Sequence, residues 1–322
     1  MELPESDVRR ALVQSYALVT RSLELGAAPS SLVLPNGEFF PDVFTGDEAS
    51  VQQLLDRLLE HAGLSEMAIS ARFYGAADES CGSGACGSCG PSQAEPEAIE
   101  RLVDAGEFWQ VNVLPGEARQ AIALSSALCR AIALAVLREA DSPPRLELDL
   151  AVDLSAVALG FGVILLEGSH IYRKSCGGPS IGCVTALGPI ELALALALHA
   201  AVRAQSVRKV DKYLSATQQE AFAEAKAWAD SNAELCAKLR TEPERIARGE
   251  FDLNEPSSWL GRLLGKKARR APSADAASTI EELEAALASA PIRSAAERPS
   301  AHKPADPKLE EIRRLVDEAL SE

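Results

Sequence analysis

The chain has 322 residues, of which 47% are hydrophobic, and its formal net charge at pH 7 is -15. This length is enough for one large domain with appendages, and the acidic balance argues against a nucleic-acid binder, because phosphate contacts need clustered positive charge. No basic region followed by an apolar run opens the chain, and the longest charge-free apolar run, residues 154–166, is shorter than the roughly 20 residues that span a bilayer. We therefore predict a cytoplasmic protein without a membrane span.

The first third of the chain is predicted to hold two helices and two strands. Residues 6–26 and 49–62 repeat apolar side chains at three- and four-residue spacing, which indicates helices that bury one face. Between them, residues 32–42 contain two prolines and an Asn-Gly pair, a composition typical of turns. Residues 67–74 and 108–114 have the apolar and aromatic content of strands.

Two apolar segments, residues 117–139 and 148–166, follow and are joined by the helix breaker Asp141-Ser142-Pro143-Pro144. The first has helical spacing with one apolar face, and the second is apolar nearly all round. A helix that is hydrophobic on every side belongs inside a core. We therefore predict that this helical pair forms the centre of the fold.

The rest of the folded part is predicted to be helical, at residues 190–205 and 217–239, after a glycine-rich connection at residues 168–188. These patterns together predict an α+β, mostly helical domain over residues 6–248, with a Cys/Gly-rich insert at residues 78–92.

Beyond residue 248 the composition becomes rich in Pro, Ser, Ala and charge, so residues 249–306 are predicted to be a flexible linker. A short amphipathic helix is predicted at residues 307–320, where an unknown protein partner would dock. Residues 258–270 combine a short apolar patch with several cations, a composition that binds acidic surfaces or membrane interfaces, or that pairs with the acidic body of the same chain.

The order of four stretches resembles a family of uncharacterised bacterial zincin-like proteins that are related to metallopeptidases. The stretches are residues 38–42, 124–137, 149–162 and 191–203. Members of that family carry His-Glu-x-x-His on one helix and an acidic third ligand on the next. The resemblance implies a zincin-like helical core with a small β-element.

At the positions that match the family motif, this chain has Ser126, Ala127 and Arg130, so both metal-binding histidines and the general base are absent. Asp149 stands at the third-ligand position and Asp153 lies one turn later. We predict that Arg130 pairs with Asp149 or Asp153, a fixed cation in place of a metal, and that peptidase activity by the zincin mechanism is lost. The alternative is that these are ordinary polar residues at helix ends and edges.

The resemblance thus predicts a degenerate metallopeptidase, that is, a pseudoenzyme with no catalytic residues that serves as a partner-binding or scaffold protein. One alternative is a metal-binding or redox protein that uses Cys81, Cys86 and Cys89, since Cys86-x-x-Cys89 has zinc-ligand spacing. Further ligands would come from Cys176, Cys183 or His170. A zinc clamp, a reversible disulfide and an unliganded loop all stay open for this cluster, and no other cofactor is expected.

A second alternative is a hydrolase with an atypical site. A nucleophilic thiol at Cys129 with His170 or His199 as base would be one form of it, although lone buried cysteines are usually inert. His199 lies in an Ala/Leu-rich segment, which favours a buried, hydrogen-bonded core histidine.

Overall fold

The computed structural model describes residues 3–23, 31–74, 100–175 and 178–254, and for residues 172–175 and 178–181 it describes the backbone alone. The described part is mostly helical with little strand, which confirms the predicted α+β class. The Cys/Gly-rich insert, most of the predicted linker and the predicted helix at residues 307–320 lie outside the described residues.

The described residues form helices and strands in the following order. The helices are α1 (Ser6–Ser22), α2 (Glu48–Ala62), α3 (Ala121–Glu139), α4 (Leu148–Ala156), α5 (Gly162–Gly168), α6 (Pro189–Val202), α7 (Ala216–Ser231), α8 (Ala233–Thr241) and α9 (Pro243–Ala247). The strands are β1 (Ile69–Phe73), β2 (Leu102–Asp104), β3 (Trp109–Val113), β4 (Ile171–Ser175) and β5 (Gly178–Gly182). β3 pairs in parallel with β1 and antiparallel with β2, and β4 and β5 form a separate antiparallel hairpin.

The core lies around α3, α4, α5 and α6. Almost every side chain of α4 from residue 151 onward and of α5 is buried, and so are nearly all of those in the middle of α6. Residues 121–139 and 148–168 are long and apolar enough to cross a membrane by length and composition, and most of each is buried inside this fold. A core helix of a soluble protein passes the same test, so the absence of a membrane span stays a prediction.

The apolar segment at residues 148–168 is not one regular helix. A π-helical turn, Val157–Phe161, separates α4 from α5, and Gly160 within it has φ of 98°. That left-handed conformation is open to glycine and strained for other residues. The carbonyl oxygen of Gly160 accepts a hydrogen bond from the N–H of Val33 at 3.0 Å, so the break also ties the segment before α2 to the core.

Three features differ from the sequence predictions. β2 and the β4–β5 hairpin were not predicted, because the first is three residues long and the second is glycine-rich without alternation. The single helix predicted at residues 217–239 is two helices that meet at Asn232. The side-chain amide of Asn232 donates to the carbonyl oxygens of Trp228 and Asn254 at 2.9 Å each, a side-chain-to-backbone pairing that favours a helix end.

Packing continues past residue 248, where the domain was predicted to end. The Arg10 guanidinium lies 4.7 Å from the centre of the Phe251 ring and donates to the Phe251 carbonyl oxygen at 2.8 Å. The Asn254 backbone N–H donates to Asn232 Oδ1 at 2.8 Å. The folded unit therefore includes all the described residues up to Asn254.

Candidate functional site

Arg130 on α3 makes three polar contacts at once, and together with Asp149, Asp153 and Val184 it forms what we call the Arg130 cluster. Its Nε donates to Asp153 Oδ1 at 2.7 Å, Nη2 to Asp149 Oδ1 at 2.7 Å, and Nη1 to the Val184 carbonyl oxygen at 2.9 Å. The Asp153 side chain is fully buried, whereas that of Asp149 is 63% exposed. The predicted pairing of Arg130 is confirmed, and it involves both carboxylates.

The second oxygen of Asp153 holds the loop that leads into α6. Asp153 Oδ2 accepts the backbone N–H groups of Ala186 and Leu187 at 2.8 Å each. One buried carboxylate thus joins α3, α4 and this loop. The backbone donors were not predicted, because nothing in the side chains of residues 184–187 marks that loop as lying beside Asp153.

The Arg130 cluster contains an ion pair between Arg130 and the buried side chain of Asp153. Burial raises the pKa of Asp153 above its ordinary value, and the Arg130 guanidinium and the two backbone N–H groups oppose that rise. With three donors on its two oxygens, the carboxylate is held in its ionised form beside a guanidinium that is always protonated. Arg130 and the two backbone N–H groups occupy both oxygens of Asp153, so this carboxylate has no unpaired oxygen to bind a metal or to activate water.

Ser126 and Ala127, the other two residues at the motif positions, have different surroundings from the carboxylates. Ser126 is fully buried, and its hydroxyl donates to the Ile164 carbonyl oxygen at 3.0 Å. Ala127 is buried as an apolar side chain. No hydrogen bond joins Ser126 to Asp149 or Asp153 within the ranges that the structure describes. The structure thus brings together three of the five predicted site residues, and it places Ser126 against α5.

The contact between Ser126 and α5 depends on Gly168. A Cβ atom at position 168 would lie 2.6 Å from Ser126 Cβ and closer still to its hydroxyl oxygen. We expect Gly168→Ala to lower the free energy of unfolding by about 2 kcal/mol, because two buried backbones would have to separate. The second change Ser126→Gly should recover part of that loss in urea unfolding. If Gly168→Ala alone unfolds like the wild type, the close approach is wrong.

The predicted metal ligands are mostly outside the described residues. Cys81, Cys86, Cys89 and Cys176 are not described. Cys183 and His170 are exposed, and no group of three His, Cys, Asp or Glu side chains that could hold a metal ion occurs in the described part of the chain. The zinc, disulfide and unliganded alternatives for the cysteine cluster therefore stay predictions.

The nucleophilic-thiol alternative has no support in the geometry. Cys129 is fully buried, and burial raises the pKa of its thiol well above the ordinary value, which disfavours the reactive thiolate. His199 is also buried, and its Nδ1 lies 2.9 Å from the Tyr16 hydroxyl oxygen. His170 is exposed. His199 is therefore the core histidine that was predicted, except that its Nε2 has no hydrogen-bond partner among the described residues.

A mostly apolar cavity of about 290 Å³ opens between α2, α3, α5 and residues 35–44, and we call it the α2–α3 cavity. Its wall is built from apolar side chains such as Phe40, Leu54 and Ile164, and the Glu167 carboxyl lies among them. Burial raises the pKa of Glu167 to about 7. An apolar pocket that holds a group with a shifted pKa is a standard candidate for a binding site.

The sequence analysis missed the α2–α3 cavity. One signal was available, because Glu167 is the first charged residue after the longest charge-free apolar run in the chain. A carboxyl group at that place is drawn toward the core by its apolar neighbours. The segments that enclose it, however, are far apart in sequence, so the cavity depends on how the helices pack.

Comparisons with protein-family models, with curated proteins and with solved structures found no match to this chain.

Proposed function

We propose that this chain is a non-catalytic binding protein, built on a zincin-like core in which the Arg130 cluster replaces a metal site. The observation that carries the proposal is the pairing of Arg130 with Asp149, Asp153 and the Val184 carbonyl oxygen. A guanidinium held in this way repels a metal cation and offers no coordination site for water. The cluster then acts as a fixed internal support for the helices around it.

A binding role is favoured by the surface next to the α2–α3 cavity. Three large apolar side chains lie exposed at its rim, namely Val43, Phe44 and Ile122. Exposed apolar side chains that adjoin a pocket are typical of ligand and partner sites. The predicted docking of a protein through residues 307–320 and the cytoplasmic location remain separate predictions.

The proposal is tested by assaying the intact protein for peptide hydrolysis with and without a zinc chelator. We expect no turnover that the chelator inhibits. We also expect the zinc content of the Arg130→Ala protein to equal that of the wild type. Chelator-sensitive hydrolysis would overturn the proposal. Elemental analysis of protein purified without oxygen separates the alternative at the cysteine cluster, because zinc that disappears in the Cys86→Ser, Cys89→Ser double variant would belong to those cysteines.

The second alternative, a hydrolase with an atypical site, has one observation in its favour. A carboxyl with a pKa of about 7 is suited to act as a general base at neutral pH, and Glu167 lines a cavity. Against it, the Ser125 hydroxyl in the same cavity donates to the carbonyl oxygens of Ala121 and Ile122, which leaves it poorly placed as a nucleophile. Ester hydrolysis that is lost in Glu167→Gln would support a hydrolase.

A further inference from the structure

The α2–α3 cavity has the shape of a small-molecule site. It is open at one side, and its lining is mainly apolar, with Phe40, Leu54, Leu124 and Ile164 along the wall. Val43 is 83% exposed at the rim. Apolar surface of this kind is unfavourable in water, and a ligand with an apolar body would cover it.

The charges in the cavity are unbalanced, and the imbalance is negative. Arg57 is the cation in the lining, and it already donates to Asp42 Oδ2 and to Glu60 Oε2 at 2.8 Å each. The Glu167 side chain, in contrast, has no hydrogen bond and no ion pair with any residue in the part of the chain that the structure describes. The cavity therefore contains one carboxyl group without a counter-charge.

We infer that the α2–α3 cavity binds an organic monocation with an apolar body, a hydrophobic ammonium ion, whose nitrogen pairs with the Glu167 carboxylate. This inference deepens the proposed binding role and rests on it. The apolar body would take the place of water against Phe40 and Ile164, and the ammonium group would donate to Glu167. Beside apolar walls, such a charge-assisted hydrogen bond is stronger than on an open surface.

The alternative ligand charges fit less well. An anion would meet the carboxyl groups of Glu167 and Asp42, and the charge of Arg57 is already shared by Asp42 and Glu60. A neutral apolar ligand would cover the lining, but it would shield the Glu167 carboxyl from water without giving it a partner. The monocation satisfies the apolar wall and the carboxyl together.

The expected binding depends on pH through Glu167. The titratable and charged groups that face the cavity are Glu167, Asp42 and Arg57. Arg57 holds the pKa of Asp42 below its ordinary value, so Asp42 stays ionised between pH 6 and 8. The pKa of Glu167 is about 7, which makes it mostly neutral at pH 6 and mostly ionised at pH 8. An alkylammonium ion stays charged over this range, so it should bind about tenfold more tightly at pH 8 than at pH 6.

The experiment is a calorimetric titration of the full-length protein with hexylammonium chloride and with 1-hexanol, each at pH 6 and at pH 8. We expect hexylammonium to bind more tightly than hexanol at pH 8, and we expect only hexylammonium to show the pH dependence. In Glu167→Gln, the affinity for hexylammonium at pH 8 should fall about tenfold or more and lose its pH dependence, while hexanol binding should be unchanged. Glu234→Gln, an exposed change on α8, is the matched control and should behave as the wild type.

A cavity-filling variant tests whether both ligands bind in the α2–α3 cavity. Ser125→Phe, which fills the cavity, should abolish binding of both ligands while thermal melting confirms that the variant is folded. Equal affinities for hexylammonium and hexanol, no pH dependence in the wild type, or full hexylammonium affinity in Glu167→Gln would each overturn the inference. The non-catalytic role is tested separately, by the peptide-hydrolysis assay with and without a zinc chelator. A failure of the cation-binding inference is therefore distinguishable from a failure of the non-catalytic role.

Discussion

Replacing Arg130 with alanine is expected to lower the free energy of unfolding by about 3–5 kcal/mol. The change removes the guanidinium from Asp153, whose side chain is fully buried, and it leaves a charge that only two backbone N–H groups oppose. It also removes the donor to the Val184 carbonyl oxygen. Most of the loss should come from Asp153, since Asp149 is largely exposed and an ion pair at a surface contributes little. Urea unfolding followed by circular dichroism measures the change.

Two variants separate the charge effect from simple truncation. Adding Asp153→Asn to Arg130→Met should recover part of the loss seen in Arg130→Met alone, because asparagine is neutral and its carbonyl oxygen can still accept from Ala186 and Leu187. Arg119→Ala, an exposed change just before α3, should leave the unfolding free energy nearly unchanged. An Arg130→Ala protein that unfolds like Arg119→Ala would show that the cluster does not stabilise the fold.

Acid is expected to destabilise the protein through His199. Burial, with a smaller effect from Arg203, lowers the pKa of His199 from its ordinary value of 6.5 to about 3 in the folded state. The unfolded chain therefore binds one more proton between these values, and stability is lost as the pH falls below 6.5. The slope approaches about 1.4 kcal/mol per pH unit, so the contribution of His199 between pH 6 and pH 4 is on the order of 2 kcal/mol.

The variant His199→Asn tests this contribution. Asparagine can still form a hydrogen bond with the Tyr16 hydroxyl, but it does not titrate, so the dependence of the unfolding free energy on pH should be shallower than in the wild type. Tyr16→Phe is the control, because it removes the hydrogen bond at 2.9 Å and keeps the buried imidazole. It should lower stability and keep the acid slope. Equal slopes in His199→Asn and the wild type would contradict the assignment.

Much of the fold could be predicted from the sequence because its helices bury faces with regular apolar spacing. The starts of α2, α3 and α4 were predicted within a few residues for that reason. The contact of Arg130 with Asp149 or Asp153 was predicted from the resemblance to zincin-like proteins, and the structure shows contacts with both carboxylates.

The remainder depends on information that periodicity does not carry. The spacing of apolar residues does not predict the break at Gly160. A glycine can also lie within a regular helix, so its presence does not show that the chain adopts a left-handed conformation there. The end of α7 depends on the contact of Asn232 with Asn254, which is distant in sequence. The position of Ser126 against Gly168 and the enclosure of Glu167 depend in the same way on the packing of whole helices.

The break at Gly160 lets one stretch of chain serve two unlike environments. On an unbroken α-helix, the spacing of Asp153 and Glu167 would place both carboxyls within about 40° of each other, facing the same neighbours. With the chain broken at Gly160, the Asp153 carboxylate lies in the Arg130 cluster and Glu167 lines the α2–α3 cavity. Two acids of the same chemical type thereby lie in different surroundings, since Asp153 is paired with a guanidinium and Glu167 has a pKa of about 7.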